Sequence, residues 1–284
     1  MPTDPCPRIS IVTPTLNQAA FVGWTVRSVF GQRYPNLEYI VLDAGSTDGT
    51  VEQIARYVPR LTYFRSEPDD GQAAAIAEGF ERSTGEIMAY LNSDDVLLPG
   101  ALAFVAEYFA EHPDVDCLYG HRAIIDENNI VTGHWILPRH HNFLMERDDF
   151  IPQEATFWRR SLFERGGNID PGYQFAMDYD LFVRYMRKGR FRRVNRFLAA
   201  YRSHRASKST LFYETIGAKE IGLVRERYRI APYSRALRKV LDRLVRRRSA
   251  AFILSGKRFP GLPSGVGYSL NRVWGGLLES AEPI

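Results

Sequence analysis

Apolar positions along the first hundred residues switch repeatedly between two periods. Residues 8–13 and 37–43 are short apolar runs rich in β-branched side chains and bounded by turn residues, as buried strands are. Between them Val22, Val26, Val29 and Phe30 recur at i, i+4, i+7 and i+8, one face of a helix that Gly31 and Pro35 end. A second helix is expected from Val51, Ile54, Ala55 and Val58, opened by a Thr50…Gln53 capping-box spacing and closed by Pro59. Residues 61–65 and 86–91 read as two further strands, separated by a helix over 72–83 that buries Ala73, Ile76, Ala77 and Phe80. After a helix at 102–109 the pattern loosens into short mixed strands at 116–119, 123–125 and 130–136, around a turn at Asp126-Glu127-Asn128-Asn129.

This alternation implies right-handed crossovers, a mostly parallel sheet with helices on both faces, and a ligand crevice at the carboxyl ends of the strands. The class is therefore α/β, and the chemistry belongs in the loops that follow the strands. Those loops are Pro14-Thr15-Leu16-Asn17, Ala44 to Gly49, Glu67-Pro68-Asp69-Asp70-Gly71 and Asn92-Ser93-Asp94-Asp95, three of them acidic. Neither G-x-G-x-x-G nor the P-loop lysine motif is present, so pyrophosphate is not cradled by a glycine-rich loop.

Composition sharpens this in three places. With 284 residues, 45% of them hydrophobic, the chain can build a large core without staples. Cys6 and Cys117 lie far apart with no Cys-x-x-Cys spacing, which fits a reducing cytoplasm. The start, Met1-Pro2-Thr3-Asp4-Pro5, lacks the features of a signal peptide, and no apolar run approaches the ~20 residues of a membrane span, so a protein neither exported nor transmembrane is expected. The net charge of +4 hides an asymmetry: residues 205–284 carry 16 Lys/Arg against 6 Asp/Glu, net +10, and residues 1–204 carry 21 against 27, net −6.

Asp94 and Asp95 end a buried strand, where two like charges ~4 Å apart repel by about 4 kcal/mol at an effective dielectric of 20. Mg²⁺ or Mn²⁺ would remove that cost and neutralise a departing phosphate. The plainer reading is a chain turn that caps the following helix. Asp43 could accept from a base or ribose, or start an Asx-turn. Asp69-Asp70-Gly71 could be a polar turn with a helix N-cap.

Taken in order, Thr13-Pro14-Thr15-Leu16-Asn17, Leu42-Asp43-Ala44-Gly45-Ser46-Thr47-Asp48-Gly49-Thr50, Asp69-x-Gly71-Gln72 and Asn92-Ser93-Asp94-Asp95 resemble family 2 glycosyltransferases over roughly residues 8–210. The resemblance implies a GT-A-like fold, a nucleotide-sugar donor (a UDP-sugar foremost), inversion at the anomeric carbon and a divalent metal. It implies that Thr13, Thr15 and Asp43 hold the nucleoside, that Asp69 and Gln72 line its pocket, and that Asp94 and Asp95 meet ribose and metal, Asp95 as the direct ligand. The sequence departs from the family in the helix after Gln72, where Ala74 and Ala77 stand at places that often carry Asp and Asn.

Phe175-Ala176-Met177-Asp178-Tyr179-Asp180-Leu181 opens a further helix and resembles the family's Glu-Asp element with Met177 replacing Glu. Asp178 is the expected catalytic base, since direct displacement needs a carboxylate to take the acceptor proton; Asp180 reads as a first-turn acid favoured by the helix dipole. Gln153 and Trp158 in Gln153-Glu154-Ala155-Thr156-Phe157-Trp158 resemble the acceptor-side segment, with Phe157 and Trp158 as core the competing reading. Tyr201-Arg202-Ser203-His204-Arg205 resembles the Arg-x-His element, in which His204 completes the metal shell.

Tyr233, Ala236, Leu237, Val240, Leu241, Leu244 and Val245 form an apolar helical stripe opposite Arg235, Arg238, Lys239, Arg243 and Arg246. Residues 233–248 either pack on protein or lie on anionic lipid at the inner face of the cell membrane, which would suit a lipid-linked glycan acceptor. Nucleic acid is not an expected partner, because no aromatic-interleaved basic platform accompanies the charge. The expected organisation is a catalytic domain over 1–210 and a helical basic C-terminal extension over 211–284. Two other functions fit the same elements: a catalytically silent glycan-assembly subunit, and a sugar nucleotidyltransferase, although the latter would need a Gly-rich basic loop after the first strand.

Overall fold

The computed structural model describes residues 6–255, 258–260 and 262–279. Strands β1 (Ile9–Thr15), β2 (Leu37–Asp43), β3 (Tyr63–Ser66) and β4 (Ile87–Tyr90) alternate with helices α1 (Val22–Phe30), α2 (Thr50–Ala55) and α3 (Gln72–Arg82). The four strands are parallel in the order β3-β2-β1-β4, with Ile9 opposite both Leu37 and Ile87. Every residue of β1 is buried, as a central strand covered on both faces requires.

The sheet continues through β5 (Val96–Leu97), α4 (Ala101–Glu111), β6 (Cys117–Ile125), β7 (Val131–Trp135), α5 (Asn142–Met145), β8 (Thr156–Arg159), α6 (Arg160–Gly166), α7 (Met177–Met186) and β9 (Phe191–Arg202). β8 is antiparallel between β4 and β6, β9 is parallel to β6, and the second half of β9 pairs antiparallel with β5 on its other edge. Helices α1, α2 and α4 bury their apolar faces on one side of the sheet and α3, α6 and α7 on the other. The fold is thus a mixed α/β sheet of GT-A type, with helices following it at the C-terminus.

Two local expectations are corrected. The strands expected at 116–119 and 123–125 are one strand, β6, because the polar residues between them are satisfied internally. His121 Nε2 lies 3.0 Å from Asn195 Oδ1, and Arg122 is ion-paired to Glu154. The capping box at Thr50 does not form: Thr50 is already helical, and Asp48 Oδ1 accepts its N–H at 3.0 Å. Pro59 lies in a separate 3₁₀ turn, Val58–Arg60.

Close approach of α3 to β1 depends on Gly79, where an added Cβ would collide with Val12. Gly79→Ala is expected to lower unfolding stability by about 1–3 kcal/mol through overpacking, despite its better helix propensity. Chemical denaturation with an unchanged slope would show it; a more stable variant would mean the interface is loose.

The chain then forms α8 (Lys208–Phe212), a π turn, α9 (Ala218–Arg227) and α10 (Arg235–Leu254). Ile221 and Val224 of α9, with Ile230, join the core shared by α3 and α7. In contrast, α10 buries only Val245, Ser249 and Phe252. Leu270, Trp274 and Leu278 return to pack with residues of β5 and β9, and Trp274 Nε1 donates to the Leu97 carbonyl at 3.2 Å. No helix among the described residues is long and apolar enough to cross a membrane. The outer ends of the two expected segments, residues 1–5 and 280–284, lie outside the described residues.

Candidate active site

A cavity of about 750 Å³ opens at the carboxyl ends of β1 to β4, where a parallel sheet collects its ligands. Its first wall is built by the loops after β1, β2 and β3. Asn17, in left-handed conformation with φ 51, takes Ser46 Oγ on its N–H at 2.7 Å and offers Oδ1 to Thr47 N at 3.0 Å, which ties the first two loops together.

Asp43 works inside these loops. It is fully buried, and its carboxylate accepts from the backbone of Gly45 and Ser46 and from the hydroxyls of Ser46 and Ser66. Three of these bonds fall on Oδ2 and one on Oδ1, so the carboxylate is largely engaged in holding its own loops, and Asp43 does not line the cavity. Thr13 is likewise buried, 3.1 Å from Tyr39 Oη, and does not line the cavity. Thr15 does, and its buried Oγ1 has no protein partner.

Asp69 lines the cavity with its charge held by Arg65 at 3.2 Å, and Gly71 N donates to its other oxygen. Next to it, Gln72 begins an amide relay: its Nε2 donates to Asn92 Oδ1 at 2.7 Å, Asn92 Nδ2 to Gln153 Oε1 at 3.3 Å, and Gln153 Nε2 to the Tyr90 carbonyl at 2.6 Å. The relay leaves Gln72 Oε1 without a protein partner on the cavity wall. It also keeps Gln153 behind the wall as a support.

The loop after β4 separates its two aspartates. Asp94 faces the cavity and lies 3.0 Å from His204 Nε2. Asp95 points inward, 2% exposed, with Oδ1 accepting from Arg202 N at 2.8 Å. Burial, and then the charges of Asp94 and Glu154, push its pKa well above the usual carboxylate range. Arg202 is itself fully buried, donates to the carbonyls of Asp94 and Asp126 and to Asn129 Oδ1, and lies over the Phe21 and Trp24 rings. This arginine holds the Asp94-Asp95 turn against the end of β9, and so against His204.

Asp178 lines the same cavity from the first turn of α7. Burial raises its pKa to about 6, against the opposing pull of the Tyr179 backbone N–H, which donates to Oδ1 at 2.8 Å, and of Arg122. The chain entering α7 is held from outside: Glu220 of α9 accepts from the backbone N–H groups of Gln174, Phe175 and Ala176 at 2.8–2.9 Å. Asp180 points away from the cavity to Arg184 at 2.8 Å.

Two residues here escaped the motif reading. Asp149 lines the cavity, and its pKa is pushed well above the usual range by burial and then by Asp178. Arg122 also lines it, bonded through two nitrogens to Glu154 at 2.8 and 2.9 Å and set between Trp135 and Tyr201 with centroid distances of 5.0 and 4.9 Å. The signal for Arg122 was present: a charge inside an otherwise apolar strand is rare unless paired. Trp158 does not reach the cavity; it is fully buried among Phe80, Phe182 and Tyr185, so the core reading of it stands and contact with an acceptor is corrected.

The fold is of the GT-A type, with the cavity at the carboxyl ends of its parallel strands. The profile described as Glycosyl transferase family 2 matches residues 10–170, and the chain belongs to that family. A PGL/p-HBAD biosynthesis glycosyltransferase of Mycobacterium bovis is 31% identical over 182 residues, covering 63% of this chain and 69% of the relative. Among solved structures, S. aureus TarS superposes with a TM-score of 0.61 at 18% identity, over 88% of this chain and 46% of TarS. The mannosyltransferase PcManGT of Pyrobaculum calidifontis, in complex with GDP-Man and Mn²⁺, gives 0.60 at 19% identity, over 84% of this chain and 69% of that one.

Proposed function

We propose that the protein transfers a sugar, with inversion, from a nucleoside-diphosphate sugar to an acceptor hydroxyl of a glycan or lipid-linked glycan. The observation that carries this reading is one cavity lined both by Asp94, which lies beside His204, and by Asp178, whose pKa burial raises to about 6. TarS 1-349 has been solved with UDP-GlcNAc and PcManGT with GDP-Man, which supports a nucleotide-sugar donor here; a UDP-sugar is the donor we assign.

In this mechanism Thr15, Gln72 and Asp69 form the wall that receives the donor. Asp178 accepts the proton of the acceptor hydroxyl as its oxygen bonds to the anomeric carbon and the bond to the diphosphate breaks. Asp94 and His204 offer one oxygen and one nitrogen ligand, a set that suits a Mg²⁺ or Mn²⁺ shared with substrate phosphates, which takes one or two protein ligands rather than a cage. The cation would neutralise the leaving diphosphate. Asp95 then supports Asp94 from behind, and residues 1–210 carry the chemistry while 211–284 support it.

Calorimetric titration with UDP, GDP, CDP and dTDP, each with Mn²⁺ and with EDTA, tests the reading. One nucleotide should bind with Mn²⁺ and lose about ten-fold or more in affinity in EDTA and in Asp94→Ala. Binding of none would overturn it in favour of the silent assembly subunit.

A further inference from the structure

Helix α10 is poorly covered for an element of 20 residues. Its inner side contributes Val245, Ser249 and Phe252 to the core. Its outer side carries Leu237, Val240 and Leu244, three and four residues apart on one face and 37%, 50% and 50% exposed. Over Arg235–Leu254 the helix has seven Lys/Arg against the single Asp242. Arg243 and Arg247 follow Val240 at i+3 and i+7, which places them along the flank of the apolar stripe. An aliphatic stripe rimmed by long basic side chains matches a surface that is apolar below and anionic at its rim.

The position of α10 gives that surface a use. Arg238 and Asp242 line the catalytic cavity, as do Lys208 and Tyr213 from the α8 segment, and Arg238 Nη2 lies 3.4 Å from Tyr213 Oη. Leu211 and Phe212, just before Tyr213, are 55% and 39% exposed. Exposed Leu211 and Phe212 thus adjoin the cavity-lining Tyr213, and α10 carries the cavity-lining Arg238 and Asp242 on one side and the aliphatic stripe on another.

We propose that the outer face of α10, with Leu211 and Phe212, binds an anionic lipid surface and sets the cavity mouth against it, so that the acceptor enters from the lipid side. The inference rests on the sugar-transfer reading for its purpose but not for the binding itself. Helix α10 lies in the headgroup region: Leu237, Val240 and Leu244 enter the acyl boundary, while Arg243 and Arg247 reach lipid phosphates.

The test is sedimentation of the full chain with phosphatidylcholine vesicles, with and without about 30% phosphatidylglycerol, at low and high salt. Binding should require the anionic lipid and weaken with salt. Each basic residue at an anionic surface contributes roughly five-fold, so Arg243→Gln with Arg247→Gln should cost about 25-fold and flatten the salt dependence. The triple change Leu237→Gln, Val240→Gln and Leu244→Gln should cost about 30-fold or more. Both variants alter exposed side chains, and both should keep nucleotide binding as measured by calorimetry.

Equal partition of the native chain to both vesicle types, no partition to either, or a triple variant that binds like the native chain would overturn the proposal. So would a native dimer that the triple variant turns into a monomer, because the stripe would then belong to a second copy. Failure of nucleotide binding in the native chain, with lipid binding intact, would remove the sugar-transfer reading and leave this surface standing.

Discussion

Asp178→Asn should lower the transfer rate by about 100- to 10,000-fold, the span that a positioned general base contributes, while the nucleotide dissociation constant stays within about two-fold. The split follows from role: asparagine keeps the shape of Asp178 while losing the proton acceptor, and the nucleotide and cation are assigned to other side chains, Asp94 and His204 among them. The release of nucleoside diphosphate, to acceptor or to water, is a sufficient readout. In the native protein the rate should rise with pH through about 6, because the working form is the ionised one and burial has raised its pKa to about 6. The ionised fraction grows from about a tenth at pH 5 to about nine-tenths at pH 7. Release near the native rate in Asp178→Asn would assign the base elsewhere, Asp149 being the neighbouring carboxylate.

The second large effect is expected at Arg122. Its guanidinium is the positive charge that opposes the raised pKa of Asp95, Asp149 and Asp178, and it pairs with a Glu154 carboxylate that is 2% exposed. Arg122→Met would leave Glu154 buried and unpaired, which costs about 3–5 kcal/mol for a fully buried pair. Because the Arg122 side chain is 22% exposed, about 2–4 kcal/mol is the expected loss. The acid limb of the rate profile should also move to higher pH, since removal of a nearby cation makes Asp178 harder to ionise. Thermal unfolding and the pH profile check the two halves separately. An unaltered profile in a folded variant would show that Arg122 does not act on Asp178.

Much of the parallel half was legible because its apolar runs obey one period each. β1 and β2 are continuous buried runs, and α1 repeats valines on a single face. The antiparallel half was less so. β9, FRRVNRFLAAYR, mixes four arginines into a strand whose first half is buried only at every third residue and whose second half is mostly buried, so neither alternation nor a continuous run marks it. The site shows the same division. Thr15, Gln72, Asp94 and Asp178 follow from ordered motifs and do line the cavity, whereas Asp149 sits in an irregular loop without a spacing signature. Direction was the harder part. Asp43, Asp95 and Gln153 are named by the same motifs, yet they turn into the protein, because each meets backbone or side-chain partners that only the folded loops supply.

The carboxylate of Glu220 has a practical consequence for where the working enzyme ends. The recognisable motifs stop near His204, and a fragment trimmed to them would look complete by its signature residues. It would nonetheless lack the one side chain that closes three adjacent N–H groups just ahead of Asp178. Such a fragment would keep the components of the reaction but release the hinge on which one of them is mounted. A fragment expected to turn over should therefore extend at least to this glutamate, 42 residues downstream of Asp178, in a helix that none of the sequence motifs marks.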